Sequence, residues 1–179
     1  MLKLGYMKHS FINNRGFTIV ELLIVVVVIG ILGAITIVSY TGIQNRAHDT
    51  AVESDIANLV KIIHIYEVDN GQFPTAGSKL AQPNSTLFTG INFKPSKSSY
   101  NTSTDNLFYC KGTVSGADTF NISLRSKSGA FYLYKSNGGL SKTSTGNIYS
   151  GCMNGFDGTT AGYSYGYYMA TNSWYSWTN

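Results

Sequence analysis

The stretch that decides the fold is RGFTIVELLIVVVVIGIL, which runs from Arg15 to Leu32. It opens an uncharged run from Leu22 to Asn45, and as an α-helix this run spans about 36 Å. The hydrocarbon core of a bilayer is about 30 Å thick. The sequence therefore predicts that residues 17–45 form a helix that can cross a membrane.

The basic residues at the start of the chain set the orientation of this helix. Lys3, Lys8 and Arg15 precede it, and the first sixteen residues contain no acid. The positive-inside rule places the N-terminus in the cytoplasm and the residues after the helix outside. A secretory signal peptide fits poorly, because its apolar stretch is shorter and ends at a cleavage site with small residues. A plain membrane anchor explains the hydrophobicity but not the acid within the stretch.

That acid is Glu21, which lies immediately before the longest apolar run. An ionised carboxylate in a membrane segment costs a few kcal/mol, and such residues usually serve a function and have a positive partner. The nearest positive candidates within the chain are Arg15 and any new amino terminus created beside it.

The residues from Arg15 to Leu22 resemble the processing and methylation motif of type IV prepilins and pseudopilins. The resemblance continues through Gly30-Ile31-Leu32 and Ala34-Ile35 to Tyr40. It implies that a prepilin peptidase cleaves between Gly16 and Phe17 and methylates the new amino terminus at Phe17. It also implies that Glu21 serves in assembly, by meeting the amine of a neighbouring subunit. Residues 1–16 would then be a leader, started at either Met1 or Met7.

The resemblance implies a structural role as the subunit of a type IV pilus, with adhesion, motility or DNA uptake as activities of the whole filament. The implied partners are copies of the chain in a helical filament, the prepilin peptidase, the assembly machinery and the inner membrane. The filament would lie on the cell surface. A pseudopilin of a type II secretion or competence system remains an alternative, as does a membrane-anchored surface-binding protein that never polymerises. Val38 departs from the family, in which many members have a helix-kinking proline at this point, so a kink near Gly30–Gly42 stays open.

The chain beyond residue 45 predicts a globular domain over residues 46–179 that includes the second half of the helix. One face of that half carries apolar residues, namely Val52, Ile56, Leu59, Ile63 and Tyr66. The opposite face carries Thr50, Ser54 and Lys61. Asn70-Gly71, followed by Pro74, predicts the end of the helix. Ile65 and Val68 lie off the apolar face, and we expect the following loop, rather than a neighbouring subunit, to bury them.

Strand signals follow a polar connection over residues 75–106. They comprise Leu107–Cys110, the alternating Phe120, Ile122 and Leu124, and Phe131 with Leu133. Ser126–Gly129 predicts a hairpin, and Asn137-Gly138-Gly139 predicts a turn. The predicted fold class is α+β, with the long N-terminal helix packed on a small antiparallel sheet.

Cys110 and Cys152 are the two cysteines, and outside the cytoplasm we expect them to form one disulfide, with two free thiols as the alternative. The tail is aromatic, with Tyr163, Tyr165, Tyr167, Tyr168, Trp174, Tyr175 and Trp177. We expect these rings to pack on the sheet or between subunits, and a glycan- or surface-binding patch is the alternative.

No catalytic constellation, phosphate loop or cofactor motif is visible, so the sequence does not indicate an enzyme or a cofactor. Asn154–Gly158 supplies too few carboxylates for calcium and predicts a turn. His48 and His64 are expected to be partly buried helix residues and not metal ligands. The formal net charge is +4, but outside the leader ten basic residues nearly balance nine acidic ones, so no nucleic-acid site is indicated.

Overall fold

The computed structural model describes residues 16–74, 91, 93–157, 162–175 and 178. Two helices, α1 and α2, cover Ile19–Asn70 and Ile148–Met153. Six strands, β1 to β6, cover Asn106–Val114, Ala117–Arg125, Phe131–Lys135, Gly139–Thr143, Gly162–Tyr168 and Ser173–Trp174. Short 3-10 turns cover Lys97–Ser99 and Met169–Thr171. The predicted leader before Gly16, most of the polar connection, and Trp177 lie outside the described residues.

The chain divides into two compact units, with the boundary between Thr41 and Gly42. The described part of the first unit consists mainly of the beginning of α1. This helix is continuous through the glycines and hydroxyl residues around Val38, the region for which the sequence did not decide between a straight and a kinked helix. The hydroxyls of Thr36 and Ser39 donate to the carbonyl oxygens of Leu32 and Ile35, at 2.7 and 3.1 Å. These side chains thus find acceptors inside the helix itself and need no partner elsewhere.

In the second unit, the predicted apolar face of α1 is confirmed. Val52, Ile56, Leu59 and Ile63 are all buried, and Tyr66 packs beside them. The predicted polar face is exposed. Residues three and four apart lie on one side of a helix, so this spacing gives the helix a single side to bury against the sheet.

The predicted end of α1 is also confirmed. Gly71 follows the last helical residue with a φ of +71°, a conformation that costs other residues a steric penalty. Its N–H donates to the carbonyl oxygen of Glu67 at 2.7 Å, which satisfies one of the free carbonyl groups at the helix end. The chain can therefore turn sharply toward Phe73 and Pro74, which are buried.

The sheet has six antiparallel strands in the order β4-β3-β2-β1-β5-β6. The first four strands follow one another as hairpins, and the tight turn between β1 and β2 has positive φ at Ser115 and Gly116. The tail then returns so that β5 lies beside β1. The α+β fold class is therefore confirmed, and the sheet is larger than the strand signals predicted.

The sheet buries both of its faces within the second unit. On one face, Tyr109, Phe120, Ile122, Leu124 and Tyr132 join the apolar stripe of α1 in the main core. On the other face, a smaller cluster forms beneath α2, with Phe108, Cys110, Phe131, Ile148, Cys152 and Tyr163. Successive residues of a strand point to opposite faces, so β1 feeds both clusters. The sequence did not predict α2 or this second layer.

One expectation needs correction, and another can be made more specific. Ile65 and Val68 are 61% and 83% exposed, so the expectation that the following loop buries them was wrong. The aromatic tail does pack, as expected, but it does so by forming strands β5 and β6 of the sheet itself. Tyr163 and Tyr167 on β5 are buried, and so is Tyr175, directly after β6.

Candidate functional site

The predicted cleavage site lies just before α1, in backbone that is not helical. Gly16 and Phe17 are exposed, and the ring of Phe17 is 90% exposed. Apart from its chain neighbours, no described residue has an atom within 4 Å of the position that a side-chain carbon on Gly16 would occupy. A protease needs accessible backbone outside regular secondary structure, and Gly16 and Phe17 are both non-helical and exposed.

Glu21 reaches back to the start of the helix. Its Oε2 accepts hydrogen bonds from the backbone N–H and the hydroxyl of Thr18, both at 2.8 Å. The hydroxyl of Thr18 in turn accepts the N–H of Glu21 at 3.2 Å. This reciprocal arrangement is a capping box, and it satisfies two donors that the first helical turn leaves free. Thr18 and Glu21 have the three-residue spacing of a capping box, although only a role in assembly was predicted for Glu21.

The surface that follows Glu21 in the first unit is apolar on every side. The large apolar residues from Leu22 to Val38 are all about half exposed or more. A helix that is hydrophobic all round normally lies inside a membrane or among other helices. By length and composition, α1 is the one helix in the described part of the chain that could cross a membrane.

The expected disulfide between Cys110 and Cys152 is confirmed. Both residues are fully buried, and their Cα atoms are 5.8 Å apart. The bond joins β1, in the middle of the sheet, to α2 in the tail. It therefore ties the second layer to the strand on which that layer packs.

The candidate metal ligands are held in ordinary contacts. His48 pairs with the hydroxyl of Ser99 at 3.2 Å, and His64, which is exposed, pairs with Glu67 at 3.1 Å. Asp157 accepts the N–H of Ser115 and thereby braces the β1–β2 turn. Among the residues that the structure describes, no three His, Cys, Asp or Glu side chains are grouped to hold a metal ion.

A polar cluster fastens the edge strand β4 to α1 within the second unit. Lys142 contacts Asp49 at 2.9 Å and Glu53 at 3.6 Å, and its ammonium lies 5.1 Å from the ring centre of Tyr132. The contacts with Tyr132 and Asp49 raise the pKa of Lys142. Burial, with a smaller contribution from the hydrogen bond to Glu53, raises the pKa of Tyr132 to about 12. These residues serve structure, since each polar group is matched by a partner on the neighbouring element.

Asp55 makes a second polar link, and it is buried. Its carboxylate accepts the N–H of Ser96 at 2.6 Å and the hydroxyl of Tyr100 at 2.9 Å. Burial, together with the negative charge of Asp55, raises the pKa of Tyr100 well above its ordinary range. Asp55 was not singled out from the sequence, because its partners Ser96 and Tyr100 lie 41 and 45 residues further along the chain.

Comparison with known proteins points to one family. Residues 12–37 match the prokaryotic N-terminal methylation motif. The chain is 39% identical to the type IV wide pilus major component PilA4 of Thermus thermophilus over 61 residues, which cover 34% of this chain and 47% of that protein. It is 32% identical to the type II secretion system core protein G of Escherichia coli over 68 residues, 38% of this chain and 47% of that protein.

A third relative is matched over more of its length. The chain is 36% identical to the competence protein ComGC of Halalkalibacterium halodurans over 69 residues, which cover 38% of this chain and 68% of that protein. The chain thus spans about half the length of the first two relatives and two thirds of this one. No solved structure matches the chain significantly. The methylation motif, the exposed apolar start of α1 and these relatives lead to one conclusion: the chain belongs to the type IV pilin and pseudopilin family.

Proposed function

We propose that this chain is the structural subunit of a type IV pilus, made as a single-pass inner-membrane precursor and polymerised through the start of α1. The observation that carries the proposal is the apolar surface of the first unit, which nothing in that unit covers among the described residues. Such a surface needs lipid or other apolar helices around it. In a filament, copies of the same helix would supply that cover on the cell surface.

The proposed processing makes chemical use of the residues before the helix. Prepilin peptidase would cleave between Gly16 and Phe17 and methylate the new amino terminus. The mature chain would then comprise the assembly helix, residues 17–45, and the extracellular domain, residues 46–179. Cleavage creates a positive amine four residues before Glu21, at the end of the helix toward which the Glu21 carboxylate is turned.

Assembly follows from the cost of leaving those charges alone. A carboxylate and an amine in a low-dielectric setting are each expensive when unpaired, and bringing them together removes much of that cost. Glu21 of one copy would meet the Phe17 amine of a neighbour as the subunit leaves the membrane. The proposed partners are therefore further copies of the chain, the peptidase and the assembly machinery. The role requires no catalysis, cofactor or specific nucleic-acid site in the subunit.

A pseudopilin of a type II secretion or competence system is a second candidate. The similarity to core protein G and to ComGC favours this candidate, because the first is named as a type II secretion system protein and the second as a competence protein. Electron microscopy of the sheared cell surface distinguishes the two, since long surface filaments containing this chain support the pilus. A membrane anchor that never polymerises would keep its leader, so mass spectrometry of the N-terminus tests that alternative.

The capping box allows a sharp test of Glu21. Glu21→Gln keeps an oxygen that can accept from Thr18 but has no charge, whereas Glu21→Ala loses both functions. If charge pairing drives assembly, both variants are inserted and cleaved normally, and filament yield falls at least about tenfold in both, since one unpaired buried charge costs about 3–5 kcal/mol. Yield is measured by immunoblotting the sheared fraction. Full assembly by Glu21→Gln would show that capping, and not charge, is what Glu21 provides.

A further inference from the structure

A cavity of about 320 Å³ opens on the α2 side of the sheet, inside the second unit. Its lining comes from separate parts of the chain and includes Asp105, Phe108, Arg125, Asn147 and Tyr149. The cavity is far smaller than a docking surface for a protein, and its volume lies at the low end of small-molecule sites. Nothing in the proposed pilus function uses it.

One wall of the cavity is aromatic. Tyr149 is 38% exposed as a residue, although its ring packs edge to face on Tyr163, with centroids 5.2 Å apart, and on Phe108 at 6.2 Å. Phe108 and Tyr163 are themselves buried. The Tyr149 ring is thus held by neighbours while part of its surface stays open, the arrangement by which amphipathic aromatics bind ligands.

Residues with hydrogen-bonding groups of both kinds also line the cavity. Arg125 uses two of its five N–H groups, donating to the carbonyl oxygens of Gly129 at 3.0 Å and Gly146 at 2.5 Å. Asp105 accepts the N–H of Met169 at 2.8 Å through Oδ1. Within the described part of the chain, its other oxygen makes no hydrogen bond. The cavity therefore offers donors and an acceptor that structural contacts have not used up.

The side chains around the cavity are also held by the fold. Asn147 caps α2 by accepting the N–H of Ser150 at 2.9 Å, and no described residue accepts a hydrogen bond from its side-chain amide. Gly146 lies so close to the ring of Phe131 that a side-chain carbon there would come within 2.5 Å of it. Side chains held before the ligand arrives lose little conformational entropy on binding. The geometry is that of a site formed in advance.

We propose that this cavity binds a neutral hexopyranose unit of a glycan. A pyranose ring has an apolar C–H face, which would lie on Tyr149, and a rim of hydroxyls that both donate and accept. Asp105 would accept from these hydroxyls, while Arg125 and Asn147 would donate to them. The carboxylate and the guanidinium offset each other, so a ligand with net charge gains little.

The experiment uses the whole mature chain in micelles of a detergent that carries no sugar headgroup. Neutral trisaccharides of glucose, mannose, galactose and N-acetylglucosamine are screened by saturation-transfer difference NMR, with an acidic trisaccharide and a free zwitterionic amino acid as competing probes. We expect at least one neutral sugar to bind, with a dissociation constant on the order of 1 mM and transfer concentrated on its ring C–H protons.

The variants place the ligand in this cavity. Tyr149→Ala should weaken binding at least about tenfold, whereas Tyr149→Phe should retain it, because the ring supplies the contact. Asp105→Asn should weaken binding as well, and Leu140→Ala, at an exposed position on β4 away from the cavity, should leave it unchanged. Circular dichroism checks that every variant is folded. Three results would overturn the proposal: no binding by any neutral sugar, equal binding by Tyr149→Ala, or binding of the charged probes alone. None of these results depends on whether the chain forms filaments.

Discussion

Removing the disulfide tests how the second layer of the domain is held. Cys110 and Cys152 are 42 residues apart in sequence, so their bond closes a long loop in the unfolded chain. The loss of chain entropy on closing a loop of that length corresponds to about 4 kcal/mol at 25 °C. For a domain of this size, each kcal/mol shifts the melting temperature by about 3–4 °C. We therefore expect Cys110→Ala combined with Cys152→Ala to lower the melting temperature by about 10–15 °C.

The assay is thermal unfolding of the full chain in detergent, followed by near-ultraviolet circular dichroism of the aromatic side chains. Wild-type protein is measured with and without a reducing agent, and the double variant is measured in the same two conditions. The reductant should destabilise the wild type and leave the variant unchanged, which separates the cross-link from the loss of two buried sulfur atoms. A melting temperature that reductant lowers by less than about 3 °C, with the bond shown by thiol titration to be broken, would refute the reasoning.

Two further predictions concern the sheet. Gly166→Ala would place a side-chain carbon 2.5 Å from Leu107, so we expect the free energy of unfolding, measured by chemical denaturation, to fall by about 1–3 kcal/mol. Gly138→Ala is the control, because its nearest contact would be at 3.6 Å and its effect should be much smaller. Equal effects of the two substitutions would contradict the packing. The pKa of Tyr132 rises from its ordinary 10.0 to about 12 in the folded protein, so the folded state keeps the proton longer than the unfolded state does. The contribution of protonated Tyr132 to the free energy of unfolding is therefore fully present below pH 10 and is lost as the pH rises toward 12. Tyr132→Phe should show a shallower decline over that interval in urea titrations, and an identical decline in both proteins would exclude the assignment.

The parts of the fold that could be predicted are those that depend on patterns among residues close together in the sequence. The apolar stripe from Val52 to Ile63 and the stop at Gly71 each depend on residues within a few turns of one another. The hairpin predicted at Ser126–Gly129, between β2 and β3, likewise joins neighbouring segments. Local patterns of this kind carry their own spacing, and the structure confirmed them.

The parts that could not be predicted depend on contacts between distant segments. Strand β4 is exposed along its whole length. Its sequence therefore does not show the alternation of apolar and polar residues by which a half-buried strand is recognised. Strand β5 contains glycine and tyrosine in place of branched aliphatic residues, and its partner β1 lies about fifty residues earlier. Helix α2 has six residues, too few for a helical period to be visible.

The candidate site divides in the same way. Gly16, Phe17 and Glu21 came from one short motif, and the capping box could have been found from its Thr18–Glu21 spacing. The cavity beside Tyr149 draws Asp105, Arg125 and Asn147 from separate segments that only the folded sheet brings together. No spacing rule in the sequence links those positions.

The two outer strands of the sheet have a consequence for any crowded array of these molecules. The unpaired N–H and C=O groups of an open sheet edge can form hydrogen bonds with a strand of another chain, and repeated pairing of this kind leads to aggregation. Here one border is β6, which is only two residues long. The other is β4, whose Lys142 is turned toward the acids of α1, so a strand added there would have to cover an ion pair. A two-residue strand at one border and an ion pair beside the other each make edge-to-edge pairing of two such sheets less favourable.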